Sequence, residues 1–151
     1  DIEKKNIMRF HMLIDSSNNE LLGIYSLSTQ PLILKDTISN SRKEKLTGSR
    51  KKSEVPAVMV GVLAKCSNAT NKISRQVIIK EIIRSVLELN DIAAIKILHL
   101  ECKDLDCITS FYEENGMILL NDANNNPVIR VDEKMNYKTY LLSIDNMKRM
   151  I

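Results

Sequence analysis

Apolar and polar residues follow two rhythms along the chain, and each change of rhythm marks an element. Arg9-Phe-His-Met-Leu-Ile-Asp15 reads as a strand, and Asp15-Ser-Ser-Asn-Asn19 is a run of turn formers that predicts a hairpin loop. The return strand covers Leu21 to Leu27 and can continue beyond Ser28 towards Leu34. Residues 35–54 keep no period and carry Gly48 and several serines, which predicts a long connection with room for a short helix. Ala57-Val-Met-Val-Gly-Val-Leu-Ala64 is apolar throughout and contains β-branched residues, as a central strand buried on both faces requires. Ser67-Asn-Ala-Thr-Asn71 breaks it. Val77, Ile78, Ile82, Ile83, Val86, Leu87 and Leu89 then recur at helical spacing up to Asn90.

Ile95 to Glu101 predicts a second buried strand. Asp104 or Asp106 can N-cap a helix through Asn115, with Gly116 at the position past the helix that wants a positive φ. Met117 to Leu120 is a short strand, Asn121 to Pro127 a polar loop, and Tyr137 to Ile144 the final strand. The order is ββ-loop-βαβαββ. Strands alternating with helices predict an α/β protein, a mixed sheet with helices on its faces, in one domain over residues 1–151.

Composition narrows the class. The 151 residues are 44% hydrophobic and 27% charged, with only 4% aromatics, so the core is built from Ile, Leu, Val and Met. No apolar run approaches the ~20 residues of a membrane span. The start, Asp1–Asn6, lacks the apolar stretch of a signal peptide, and the absence of an initial Met leaves room for a preceding piece. Cys66, Cys102 and Cys107 contain no C-x-x-C pair, which fits a reducing, cytoplasmic setting better than a disulfide scaffold. The two histidines, His11 and His99, lie in separate strand-like runs, and no metal site is expected.

Three segments together resemble the GNAT acyltransferases, and the resemblance spans Lys5 to Ile144. Leu22-Gly-Ile-Tyr-Ser-Leu-Ser28 is similar to the family's second long strand. Val55-Pro-Ala-Val-Met-Val-Gly-Val-Leu-Ala-Lys65 is similar to the strand that grips the cofactor's pantetheine arm. Leu100-Glu-Cys-Lys-Asp104 with Phe111-Tyr-Glu-Glu-Asn-Gly-Met117 is similar to the late strand and the F-Y-E-x-x-G-F element, the most specific of the three. The long connection before the central strand is closest to the subgroup that contains toxin-like acetyltransferases. The resemblance implies a GNAT-like fold, a central twisted mixed sheet flanked by helices. It also implies acetyl-CoA as co-substrate and a primary amine as acceptor, with aminoacyl-tRNA among the candidates. An antitoxin and a second copy of the chain are the protein partners it suggests, and no membrane.

The same resemblance assigns roles. A backbone amide near Leu63, Ala64 or Lys65 holds the thioester carbonyl. Tyr112 stands near the sulfur as general acid, for which a phenol with a reference pKa of about 10 is suited. The family's cofactor loop follows a Q/R-x-x-G-x-G/A pattern, whereas this chain has Thr70-Asn-Lys-Ile-Ser-Arg-Gln76 without a glycine. Counted from the strand, Thr70, Ile73 and Arg75 fill the three key positions. Counted from the helix with one deletion, Ser74 takes the second small position, and this reading is preferred. Lys72 and Arg75 are then expected to add charge at the pyrophosphate, and the alternative for Ser74 or Asn71 is an ordinary helix cap.

Three residue groups keep open readings. Glu101 can deprotonate the acceptor amine, pair with Lys103 or cap the next helix. His99 is expected to be a satisfied buried histidine, and Cys102 and Cys107 small core residues. The run Arg42-Lys-Glu-Lys-Leu-Thr-Gly-Ser-Arg-Lys-Lys52 holds six basic residues and one acidic one. It is either a solvated loop or a phosphate contact for tRNA through Arg42, Lys43, Lys45, Arg50, Lys51 and Lys52. Alternatives to an enzyme are a catalytically degenerate binding module, suggested by the glycine-free loop, and an RNA-binding protein using the basic run.

Overall fold

The computed structural model describes residues 8–69 and 72–151. In chain order the elements are β1 (Arg9–Ile14), β2 (Leu21–Thr29), β3 (Leu32–Ile33), α1 (Asn40–Thr47), β4 (Glu54–Val55), β5 (Ala57–Lys65), a 3₁₀ turn (Ser67–Ala69), α2 (Arg75–Ile92), β6 (Ile97–Lys103), α3 (Asp106–Glu114), β7 (Ile118–Leu119), β8 (Ile129–Asp132), β9 (Met135–Ser143) and α4 (Ile144–Met150). The main sheet runs β1-β2-β5-β6-β9-β7, with β8 also paired to β9, and β3 and β4 form a separate small pair. β5 and β6 are parallel, and the other neighbours are antiparallel.

Period-two alternation splits the central strands between two cores. On one side, the α2 face, Val58, Val60, Leu98, Leu100, Tyr140 and Leu142 pack against Ile78, Ile82, Ile83 and Val86 of α2 and Met147 of α4. On the other, the α1 face, Ala57, Ile97 and Leu141 pack against Leu32, Leu34, Ile38 and Val55, with Leu46 of α1 at the edge. Each fully buried Ile or Leu contributes about 1.5–3 kcal/mol over its exposed state, so α2 is held by its apolar stripe.

Several boundaries differ from expectation for physical reasons. Neither Asp104 nor Asp106 caps α3: the cap residue is Leu105 without a side-chain bond, because the Asp104 carboxylate takes Lys138 Nζ at 2.7 Å. Gly116 does carry the positive φ, +78°. The final strand stops at Ser143, whose hydroxyl accepts the Asn146 N–H and opens α4 at Ile144. β8 has no counterpart among the expected elements because its four residues are all exposed, so burial leaves no pattern in them. The connection of residues 35–54 contains α1, started by the Ser39 side chain and ended by Gly48 in the left-handed region. Among the described residues no helix is long and apolar enough to cross a membrane.

Two irregularities set β5 apart from a regular strand. Ser26 of β2 faces Val62 while its neighbour Leu27 faces Val60, so Gly61 is an extra, bulged residue. The buried Ser26 hydroxyl accepts the Val62 N–H at 2.8 Å. A Cβ on Gly61 would stand 3.0 Å from that hydroxyl oxygen, which is why glycine fits there. Second, β5 and β6 pair only from Ala57↔Ile97 to Val60↔Leu100. Beyond the bulge they part.

Candidate active site

The parting of β5 and β6 opens a passage through the sheet. On the α2 face a cavity of ≈ 470 Å³ is lined by residues 63–67 at the end of β5, by Arg75 at the start of α2, and by Ile108, Phe111 and Tyr112 of α3. Between the separated strands a smaller space of ≈ 240 Å³ is lined by Leu63, Glu101, Cys102, Tyr112 and Tyr137, among others. On the α1 face a third, ≈ 400 Å³, is lined by Met59, His99, Glu101, Leu120, Val128 and Arg130, among others. Leu63, Ile108 and Tyr112 belong to both the first and the second space, and Glu101 to both the second and the third.

Backbone direction in β5 is fixed by two hydrogen bonds. The Val62 N–H goes to Ser26 and the Cys66 N–H to the Leu22 carbonyl, both in β2. Strand peptides alternate in direction, so the Ala64 N–H also faces β2 and the Leu63 and Lys65 N–H groups face the opening. Leu63 is the donor at the middle of the passage. The Lys65 side chain folds back to donate to the Ile73 carbonyl at 3.3 Å.

Tyr112 sits on the α2 face of the opening. Its ring meets Phe111 edge-on at 5.2 Å and Tyr140 at 6.0 Å. Tyr140 is itself fixed by donating its hydroxyl to Glu113 Oε1 at 2.7 Å. Burial, reinforced by the nearby Cys102 thiol and opposed by Arg75, pushes the Tyr112 phenol up to about 12. Burial likewise pushes the Cys102 thiol up to about 11, with Lys138 opposing and Asp104 and Glu113 adding to the rise. Cys102 is a buried residue as expected, whereas Cys107 is exposed.

The glycine-free loop reaches the cavity through Arg75. Thr70 and Asn71, the first of the expected loop positions, lie outside the described residues. Lys72 turns away and pairs with Glu20 beside the first hairpin, and Glu20 also accepts Asn68 Nδ2 at 2.7 Å. The Ile73 side chain is buried in the α2-face core. Ser74 is the N-cap of α2, accepting from the Val77 N–H at 3.4 Å. Arg75 lines the cavity, with its guanidinium carbon 5.8 Å from the centre of the Phe111 ring.

Glu101 neither pairs with Lys103 nor caps a helix. Arg130 donates its Nε–H to Glu101 Oε2 at 2.6 Å. His99 is buried, with Nε2 3.1 Å from the Gln30 carbonyl, which makes Nε2 the protonated nitrogen. Desolvation lowers its pKa, against the Gln30 contact and the Glu101 charge. Of the basic run, Arg42 is engaged with the Asn121 carbonyl at 3.0 Å and Lys43 is buried facing Asp36 at 3.9 Å. Lys45, Arg50, Lys51 and Lys52 are exposed. Sequence reasoning gave no role to Phe111, which sits next to Tyr112 in the same motif. It also missed Arg130, for which no local signal exists.

The sequence matches no protein-family model and no curated protein. The structure does have counterparts. It aligns with a Tyr-to-Phe mutant of KacT at TM-score 0.72 and 19% identity, covering 99% of this chain and 79% of that one. It aligns with AtaT complexed with acetyl-methionyl-tRNAfMet at TM-score 0.72 and 17% identity, covering 99% and 78%. AtaTR bound with acetyl-CoA aligns at TM-score 0.69 and 17% identity, covering 99% and 77%. These are GNAT-fold toxins. The chain has the GNAT fold. β5 and β6 part after Val60 and Leu100, and the cavity beside residues 63–67 lies on the α2 side of that separation. Identities of this size carry the fold and nothing finer, so the chemistry rests on the residues themselves.

Proposed function

We propose that this protein is an acetyl-CoA-dependent N-acetyltransferase. The observation that carries the reading is the passage where β5 and β6 part after Val60 and Leu100, with Tyr112 on one side and Glu101 on the other. The pantetheine arm lies along residues 63–65, and Arg75 meets the pyrophosphate. The Leu63 N–H faces the thioester carbonyl. The amine nitrogen enters from the α1 face and attacks that carbon; the C–N bond forms, the C–S bond breaks, and Glu101 receives the amine proton directly or through a water. Tyr112 gives its proton to the departing thiolate and is reprotonated from solvent.

The acceptor reading extends to an aminoacyl-tRNA, supported by the likeness to AtaT, which is seen with acetyl-methionyl-tRNAfMet. Lys45, Lys51 and Lys52 of the basic run are its phosphate contacts, joined by Arg50 when it leaves Glu44, while Arg42 and Lys43 serve the fold. An antitoxin partner is proposed on the same ground, since AtaT also binds the C-terminus of the antitoxin AtaR. Calorimetric titration with acetyl-CoA tests the central step. Binding followed by acceptor-dependent release of CoA supports the enzyme; no binding at millimolar concentration replaces it with a binding module of GNAT fold.

A further inference from the structure

The α1-face end of the passage is held by a cation of the protein's own. Arg130 stands on β8 opposite Tyr137 of β9. Its side chain crosses the Tyr137 ring, 4.5 Å from guanidinium carbon to centroid, and ends on Glu101 of β6, one strand further in. Its second contact is Asp132 Oδ2, at 3.3 Å from Nη1. The side chains of Arg130 and Glu101 are 46% and 28% exposed, so this pair stands at the water boundary and can exchange partners. Glu101 lines both the α1-face cavity and the space between the strands, so a molecule moving from one to the other passes its carboxylate.

We propose that Arg130 is a placeholder for the acceptor's ammonium group. This rests on the acetyltransferase reading. With no acceptor bound, the guanidinium occupies Glu101. An arriving ammonium competes for the same carboxylate, and Arg130 moves to Asp132, which is already in contact with it. Water carries no charge and does not displace Arg130, so Glu101 stays capped and is a poor acceptor for a proton from water. The side reaction held back is hydrolysis. There, water oxygen bonds to the thioester carbon, the C–S bond breaks, one water proton goes to Glu101, and the thiolate takes the Tyr112 proton to leave acetic acid and CoA, after which Glu101 releases its proton to solvent and Tyr112 regains one. Arg130 is thus a positioning residue that favours amines over water.

The test compares wild type with Arg130→Met, Arg130→Lys and Arg130→Met/Glu101→Gln. Arg130→Met is expected to lower KM for a small primary amine, such as an amino-acid amide, and to raise acceptor-free hydrolysis of acetyl-CoA, each by about two- to five-fold given the exposure of the pair. Arg130→Lys restores wild-type behaviour in part, and the added Glu101→Gln removes both effects. Acetyl-CoA affinity stays at the wild-type value, since Arg130 lies off the cofactor cavity. A separate readout needs no turnover: titrating the amine into wild-type protein shifts the ¹⁵N–¹H signal of Arg130 Nε as its bond to Glu101 is lost. An unmoved Nε signal at saturating amine, or a raised KM with unchanged hydrolysis in Arg130→Met, overturns the placeholder. Failure of wild type to bind acetyl-CoA overturns the enzyme reading instead, and the Nε titration still decides the placeholder.

Discussion

Tyr112 and His99 show how one group's surroundings set its pH behaviour. With the Tyr112 phenol pushed to about 12, the hydroxyl keeps its proton across the assay range. The rate should therefore rise with pH as the amine deprotonates and show no alkaline fall from Tyr112 below about pH 10, a point checked by kcat profiles. Tyr112→Phe should lower kcat by about 10²–10⁴-fold and leave acetyl-CoA affinity nearly unchanged. Unaltered turnover, with chemistry the slow step, would make Tyr112 a packing residue. His99 acts on stability. Its folded pKa lies below the ordinary 6.5, because burial disfavours the charged ring. The unfolded chain thus binds the proton first as pH falls, and stability present above about pH 6.5 declines through the lowered folded pKa. In His99→Gln the melting temperature should depend less on pH as the pH falls below about 6.5. The position of Tyr112 beside the cavity is legible in the sequence because its motif is local, running from Phe111 to Met117. The partner of Glu101 is not, because Arg130 is 29 residues away and meets it only through the β8–β9 pairing.

Helices and strands are legible where burial leaves a period. β5, α2 and β6 can be read from their apolar patterns, and the structure pairs β5 with β6 in parallel and packs α2 against them. β8 and the inward turn of Arg42 and Lys43 cannot, since an exposed four-residue strand has no apolar rhythm and a basic helix buries its cations only by tertiary contact. The start of α2 yields a prediction at this scale. Arg75 lines the cavity, whereas Lys72 is bound to Glu20. Arg75→Ala should weaken acetyl-CoA binding by about tenfold, the low end for a charge-assisted contact at an exposed site. Lys72→Ala should change it far less and act on the tether between the loop and the first hairpin. Equal losses in the two variants would show that the loop turns Lys72 inward when the cofactor binds; calorimetry on both distinguishes the outcomes.

At the scale of the whole molecule, the cofactor would bridge parts that the fold leaves separate. Residues 63–67 and α3 face each other across the cavity with no strand pairing to join them. Acetyl-CoA at about a hundred times its Kd should stabilise the protein by about 2.7 kcal/mol, read as a rise of about 5–10 °C in a thermal melt. No rise at saturation would contradict binding to the folded state. The extra residue at Gly61 carries the last consequence. Removing it would leave Val60 followed by Val62, and Leu63 would keep its side, but β5 would lose the bend that carries it away from β6. The straightened strand would be free to run on beside residues 101–103 and shut the cleft. One lost codon could thus close the cleft while leaving the exterior of the protein as it is. On the acetyltransferase reading, a lineage could pass from enzyme to inert decoy in a single step.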